Sequence, residues 1–114
     1  MNKRQLGSDK EKLAGKLLAL NGYEILEYNY RCRVGEVDII AREGGDLVFV
    51  EVKFRQDENA LPQEAVDVRK QRHICMVARD YCYRKHFEGN CRFDVVAIRG
   101  QQYQIIRNAF EYRL

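Results

Sequence analysis

Along the chain the apolar positions switch between helical and strand spacing, and each switch marks an element. Behind Ser8, a natural N-cap, Leu13, Ala14, Leu17 and Leu18 recur at helical spacing and Gly22 supplies a stop, so a helix is expected from about Asp9 to Asn21. Tyr23 to Tyr30 is rich in aromatic and aliphatic residues and reads as a strand. "GEVDIIAREGGDLVFVEVKFR", Gly35 to Arg55, reads as two more strands around Gly44 and Gly45, a pair that favours a two-residue hairpin loop. In "QDENALPQ", Pro62 suits the first turn of a second helix running to about His86, with Val66, Cys75, Ala78, Tyr81 and Cys82 as a broken apolar stripe. "CRFDVVAI" and "QYQIIRN", on either side of Gly100, are the last strands, and the tail beyond Ala109 reads as a short helix or a frayed end. The expected order is α-β-β-β-α-β-β.

The hairpin carries charges inside apolar runs. With Gly44 and Gly45 as its loop, Asp38 falls opposite Glu51 and Glu36 opposite Lys53, while Ile39 meets Val50 and Val37 meets Val52. One face is then apolar and the other charged. Opposed carboxylates destabilise a strand pair unless a cation lies between them. A hard divalent ion suits the need, since Mg²⁺ uses one or two protein carboxylates and leaves positions for water and phosphate oxygens. Lys53 would then orient or deprotonate a water, or stabilise charge on a phosphate. The competing reading is an exposed face with a Glu36–Lys53 ion pair worth under about 1 kcal/mol. A one-residue slip in register would separate the carboxylates, so the residues alone leave both readings open.

Composition changes this picture little. The 114 residues, 46% hydrophobic and 32% charged, suit one domain over residues 1–114. Apolar stretches such as Leu47 to Val50 are far too short to cross a bilayer, and Met1 to Gln5 leads into no signal-peptide core, so a cytoplasmic protein without a membrane partner is expected. Cys32, Cys75, Cys82 and Cys91 lack zinc-ligand spacing and read as core packing. His73 and His86 read as surface residues. The net charge is only +3, but basic clusters at Lys10, Lys12 and Lys16, at Arg31 and Arg33, at Arg69, Lys70 and Arg72, and at Arg84 and Lys85 point weakly to a polyanion.

"GEVDIIARE…LVFVEVKFR", with "GSDKEKLA" before it and "EAVDVRKQR" and "RFDVVAI" after it, resembles the YraN-like family of predicted endonucleases, in the PD-(D/E)xK restriction-endonuclease-like superfamily, from Gly7 to Ile98. The resemblance implies an α/β fold with an αβββαβ core, a mixed central sheet flanked by helices, and here an extra C-terminal strand. It implies Asp38 and Glu51 as metal-ligand acids, Lys53 as the motif lysine, and Mg²⁺ or Mn²⁺ as cofactor. Glu11 matches the extra carboxylate of Holliday-junction-resolvase-like members, a role that competes with a Ser8-x-x-Glu11 capping box. Glu36 either pairs with Lys53 or joins the acids and tunes that lysine. Lys70, with Arg69, Arg72 and Arg55, is expected to hold substrate phosphates. Asp94 reads as structural, accepting from Arg92 or from a nearby backbone group at the strand edge.

The function implied is a metal-dependent endonuclease that hydrolyses phosphodiester bonds through a metal-activated water. DNA is the expected substrate, branched or repair intermediates included, with a homodimer by analogy to the resolvases. No basic cluster forms a base-reading arrangement that separates DNA from RNA. The alternative is a catalytically weak nucleic-acid-binding module, or a structural interaction protein, on the nuclease fold.

Overall fold

A computed structural model of the chain describes residues 3–55 and 66–113. Its elements are α1 (Lys3–Leu20), β1 (Glu24–Cys32), β2 (Gly35–Glu43), β3 (Asp46–Phe54), α2 (Val68–Lys85), β4 (Cys91–Arg99) and β5 (Gln102–Ile106), in the order expected. The strands form one sheet, β1-β2-β3-β4-β5, in which β3 and β4 run parallel and every other pair is antiparallel. A parallel pair needs a crossover, and α2 supplies it. This mixed sheet between helices is consistent with a restriction-endonuclease-like core.

The sheet is covered on both faces. Ala14 and Leu18 of α1 pack with Ile39, Ala41, Val48, Val50, Val96 and Ile98, while Ile74, Cys75, Val77, Ala78 and Tyr81 of α2 pack with Ile40, Leu47, Phe49, Phe93 and Val95. This corrects the expectation of one apolar and one charged hairpin face. With a helix on each side, "LVFV" is buried on both faces, which is why it reads as an unbroken apolar run. Gly15 lets α1 lie close on β1, since a Cβ there would run into the ring of Tyr28.

Helix limits differ from expectation at both N-termini. α1 begins at Lys3, so Ser8 lies within the helix and not at the N-cap that a Ser8–Glu11 capping box requires. Good helix formers such as Lys3, Arg4, Gln5 and Leu6 carry it past that point. α2 begins at Val68 behind Asp67, whose side chain accepts from the Lys70 N–H at 2.8 Å. Pro62, the expected start, lies outside the described residues. The other end agrees: His86 closes α2 in a left-handed conformation. Among the described residues no helix is long and apolar enough to cross a membrane.

A buried polar network locks the hairpin turn to β4. Asp94, fully buried, accepts from Tyr23 Oη (2.6 Å), from Arg92 Nε and Nη2 (2.9 Å each) and from the Asn108 N–H (2.9 Å). The structural role expected for Asp94 is what is found. Arg92 also reaches Glu43 (2.6 Å) and Asp46 (3.1 Å), the residues that flank Gly44 and Gly45. Arg107 clamps Glu43 from β5's side at 2.7 Å. Among the described residues the tail forms no helix, and it is tied down rather than frayed. Ala109 N–H donates to the Phe93 carbonyl (2.7 Å), and Phe110 stacks on Phe93 with centroids 5.1 Å apart.

Two outcomes follow for stability. Asp94→Ala removes the buried acceptor shared by Tyr23 Oη, Arg92 and the Asn108 N–H and should cost about 3–5 kcal/mol in urea unfolding. Glu43 is held down at about 2, first by its hydrogen bonds from Arg107 and then by those from Arg92, against an ordinary 4.5. A carboxyl lowered on folding stabilises above its unfolded value and loses that contribution as pH falls. Glu43→Gln should therefore flatten the stability profile between about pH 4.5 and 2, as read by thermal melts across that range.

Candidate active site

The β2–β3 ladder follows the register expected, from Glu43↔Asp46 at the loop to Ile39↔Val50. There the regular pairing stops. Val37 and Ile40 pack on the α2 side while Ile39 packs on the α1 side, so strict alternation fails around Asp38. On the other side, β1 passes from Tyr28↔Ile39 to Tyr30↔Val37, and Asn29 between them is left-handed (φ 52°). Asp38 Oδ2 then accepts the Val52 N–H at 2.8 Å, taking a bond that a continued ladder would give to the β2 backbone. The carboxylate is fixed against the strand that carries Glu51.

Glu51 is 4% exposed, in the strand buried on both faces. Its pKa is raised, mainly by burial and then by hydrogen bonding to Asp38, while Lys70 and Lys53 pull it the other way. Glu11, 8% exposed, comes from α1 and is pushed up to about 7 by burial first and by Asp38 next. Asp38 is thus the common neighbour of two buried carboxyls from two other elements. Glu11 Oε2 and Glu51 Oε2 are both buried without a hydrogen-bond partner. Such orphaned acceptors are costly and ask for a proton or a cation.

Lys70 answers part of that need. Its Nζ is 3.4 Å from Glu51 Oε2, close enough for an ion pair, although the oxygen makes no directed hydrogen bond. The start of α2 thus brings Lys70, one of the residues expected to hold substrate phosphates, to Glu51 of β3. Arg69 and Arg72 are exposed beside it, and Arg55 is half-buried at the end of β3, with its N–H on the Ile98 carbonyl (2.8 Å) and Nε unpartnered. Glu36 is not opposite Lys53 in an ion pair; it pairs with Arg31 across β1 at 3.0 Å, since the β2–β3 ladder has ended before it.

The donor set suits a hard divalent ion. Asp38 neighbours both Glu11 and Glu51, and each of those two keeps a buried oxygen in need of a partner. Among the described residues no group of three or more His, Cys, Asp or Glu side chains is placed to hold a metal ion. An ion that keeps several waters leans on only one or two carboxylates.

The sequence gives no sign of the Lys70–Glu51 contact, because the crossover separates the two residues in the chain. Arg107 was also missed as a partner of Glu43. A lone Arg after a strand carries no pairing signal.

The model of the uncharacterised protein family UPF0102 matches residues 10–98. The chain belongs to this family. A UPF0102 protein of Lachnoclostridium phytofermentans is 46% identical over 114 residues, with 97% of each chain covered. Another, from Caldicellulosiruptor saccharolyticus, is 50% identical over 101 residues, covering 86% of this chain and 85% of the relative. The solved structure "Crystal structure of SSO0001" superposes with a TM-score of 0.46 at 17% identity, over 90% of this chain and 50% of that one. The matched span of the UPF0102 chain holds Glu11, Asp38, Glu51, Lys53 and Lys70.

A carboxyl whose folded pKa is raised favours the fold below its unfolded value and loses that favour as pH climbs through the folded one. For Glu11 this window runs from 4.5 to about 7. In EDTA, Glu11→Gln and Glu51→Gln should therefore each melt higher than wild type at pH 8, by about 4 °C or more, with the difference shrinking towards pH 5. Equal melting temperatures at pH 8 would show that these carboxyls carry no burial strain.

Proposed function

We propose that this UPF0102 chain is a divalent-metal-dependent nuclease that hydrolyses phosphodiester bonds of nucleic acid, with DNA as the first candidate. The observation that supports the reading is the convergence of Glu11, Asp38 and Glu51 from three elements, with two buried oxygens lacking hydrogen bonds. Asp38 and Glu51, with Glu11, would hold Mg²⁺ or Mn²⁺. When bound, such an ion supplies a water of lowered pKa and neutralises charge on the phosphate.

The remaining work falls to the chain. Lys53 lies two residues beyond Glu51 on the same face of β3, and its ammonium lowers the cost of charge on Glu51. There it orients the attacking water or meets charge building on a phosphate oxygen. Asp38, tied to Val52 N–H, keeps its remaining lone pairs aimed at the site. Arg69 and Arg72, exposed on the first turn of α2, offer cations to the phosphate backbone on the flank where Lys70 meets Glu51. Binding resting on such contacts weakens steeply with salt. Lys70 serves as the resident counter-charge of Glu51, so its ammonium competes with a divalent ion for the same oxygen.

Lys70→Met should accordingly bind Mn²⁺ roughly three- to tenfold more tightly than wild type in calorimetric titrations, the factor expected for removing one ion pair. The reading itself is tested with labelled duplex, branched and single-stranded DNA and RNA in Mg²⁺, Mn²⁺ or EDTA. Cleavage is expected to require the metal and to fall by at least about a hundredfold in Glu51→Gln. Intact nucleic-acid binding with no cleavage of any substrate, in either protein, would make the chain a binding module.

A further inference from the structure

At the end of α2 away from Lys70, two thiols face each other. Cys82 Sγ and Cys91 Sγ lie 3.3 Å apart, and both cysteines are free. A disulfide needs about 2.05 Å between sulfurs, so the gap to close is about 1.3 Å.

The backbones that carry them are pinned. Phe87 N–H donates to the Cys82 carbonyl at 2.9 Å behind the left-handed His86, and Asn90, just before Cys91, accepts from Leu47 N–H at 2.9 Å. Proximity is thus built into the helix cap and the start of the parallel β3–β4 pair. Closing the gap falls to side-chain rotation.

The other thiols are placed differently. Cys75 is buried and its Sγ accepts from Arg113 N–H at 3.4 Å, and Cys32 packs from β1 against the core on the α2 side. The expectation that all four cysteines are core packing fails at Cys91, which is exposed. A cleft of about 270 Å³, walled by Arg79, Phe87, Glu88 and Tyr112, opens onto both Cys82 and Cys91. It gives a small reagent access to the pair.

The geometry points to a redox modification site: a Cys82–Cys91 dithiol that small-molecule disulfides convert to an intrachain disulfide, clamping the last turn of α2 to the start of β4. The more exposed Cys91 attacks the reagent as its thiolate, the reagent's S–S bond breaks and one reagent thiolate leaves. Cys82 then attacks the Cys91 sulfur of the mixed disulfide and expels the second thiolate. The chain loses two electrons and two protons, and the reagent disulfide is reduced to two thiols.

Although Cys91 as a residue is exposed, burial of its sulfur, with the neighbouring Cys82 next, pushes the thiol up to about 12. Little thiolate is present at neutral pH, so closure is a slow exchange set by the ambient redox ratio, unlike a fast peroxide sensor. Lys70 and Cys82 are about 18 Å apart along the axis of α2. The clamp is therefore remote from the acidic cluster, and its test does not depend on any nuclease activity.

The full chain is equilibrated across a series of reduced-to-oxidised glutathione ratios, quenched in acid, alkylated and mapped by peptide mass, with melting curves on each sample. The expected result is an intrachain Cys82–Cys91 disulfide as the first product, with Tm raised by about 5 °C in wild type and unmoved in Cys91→Ser and Cys82→Ser. Any of four results would overturn the proposal. They are both thiols still open to alkylation at the oxidised end, a bridge between two chains, a bridge using Cys32 or Cys75, or a Cys82–Cys91 bridge with no rise in Tm.

Discussion

One hydrogen bond decides where this sheet stops being regular. The Val52 N–H, which an uninterrupted antiparallel ladder would direct to the backbone of β2, goes to Asp38 Oδ2 instead. That exchange keeps a partly buried donor satisfied while freeing β2 to part from β3 after Ile39↔Val50. It also sets Asp38 between layers: Glu11 reaches it from α1 and Glu51 from β3, whose own ion pair runs to α2. The acidic cluster is a consequence of the broken ladder.

The described residues hold two groups of buried or half-buried acids, and they are treated in opposite ways. Asp94 accepts from a tyrosine hydroxyl, a guanidinium and a backbone N–H, and Glu43 is gripped by two arginines. There every anion has a cation and the group fastens turn, strand and tail. Glu11 and Glu51, by contrast, each keep a buried oxygen with no hydrogen bond and are held well above the ordinary carboxylate range. A chain able to satisfy buried acids so fully at one end of its hairpin leaves them under-satisfied at the other. Unmet polar groups of this kind are where a functional role is sought first.

Much of this was legible in the sequence because period carries topology. Two β-prone runs with Gly44-Gly45 between them gave the hairpin and its register, and Asp38 and Glu51 were drawn together on that ground alone. What escaped depends on long-range packing. The switch of faces around Asp38 leaves no mark in a pattern of apolar letters, and it defeated the prediction of a charged face and of a Glu36–Lys53 pair. Ser8 looked like a cap because local hydrogen-bonding chemistry permits one there, but the helix runs on through it. The basic cluster around Lys70 marks a charged helix and carries no sign that this lysine meets Glu51 of β3.

Gly15 gives the fold a steric control over an electrostatic feature. It lies one turn after Glu11 on α1, and its missing side chain is what lets the helix settle against the ring of Tyr28. The depth of that seat fixes how far Glu11 reaches towards Asp38. A single added methyl, neutral and outside the acidic cluster, would lift the helix or displace the ring, and so loosen the crowding of charge that sets the cluster apart.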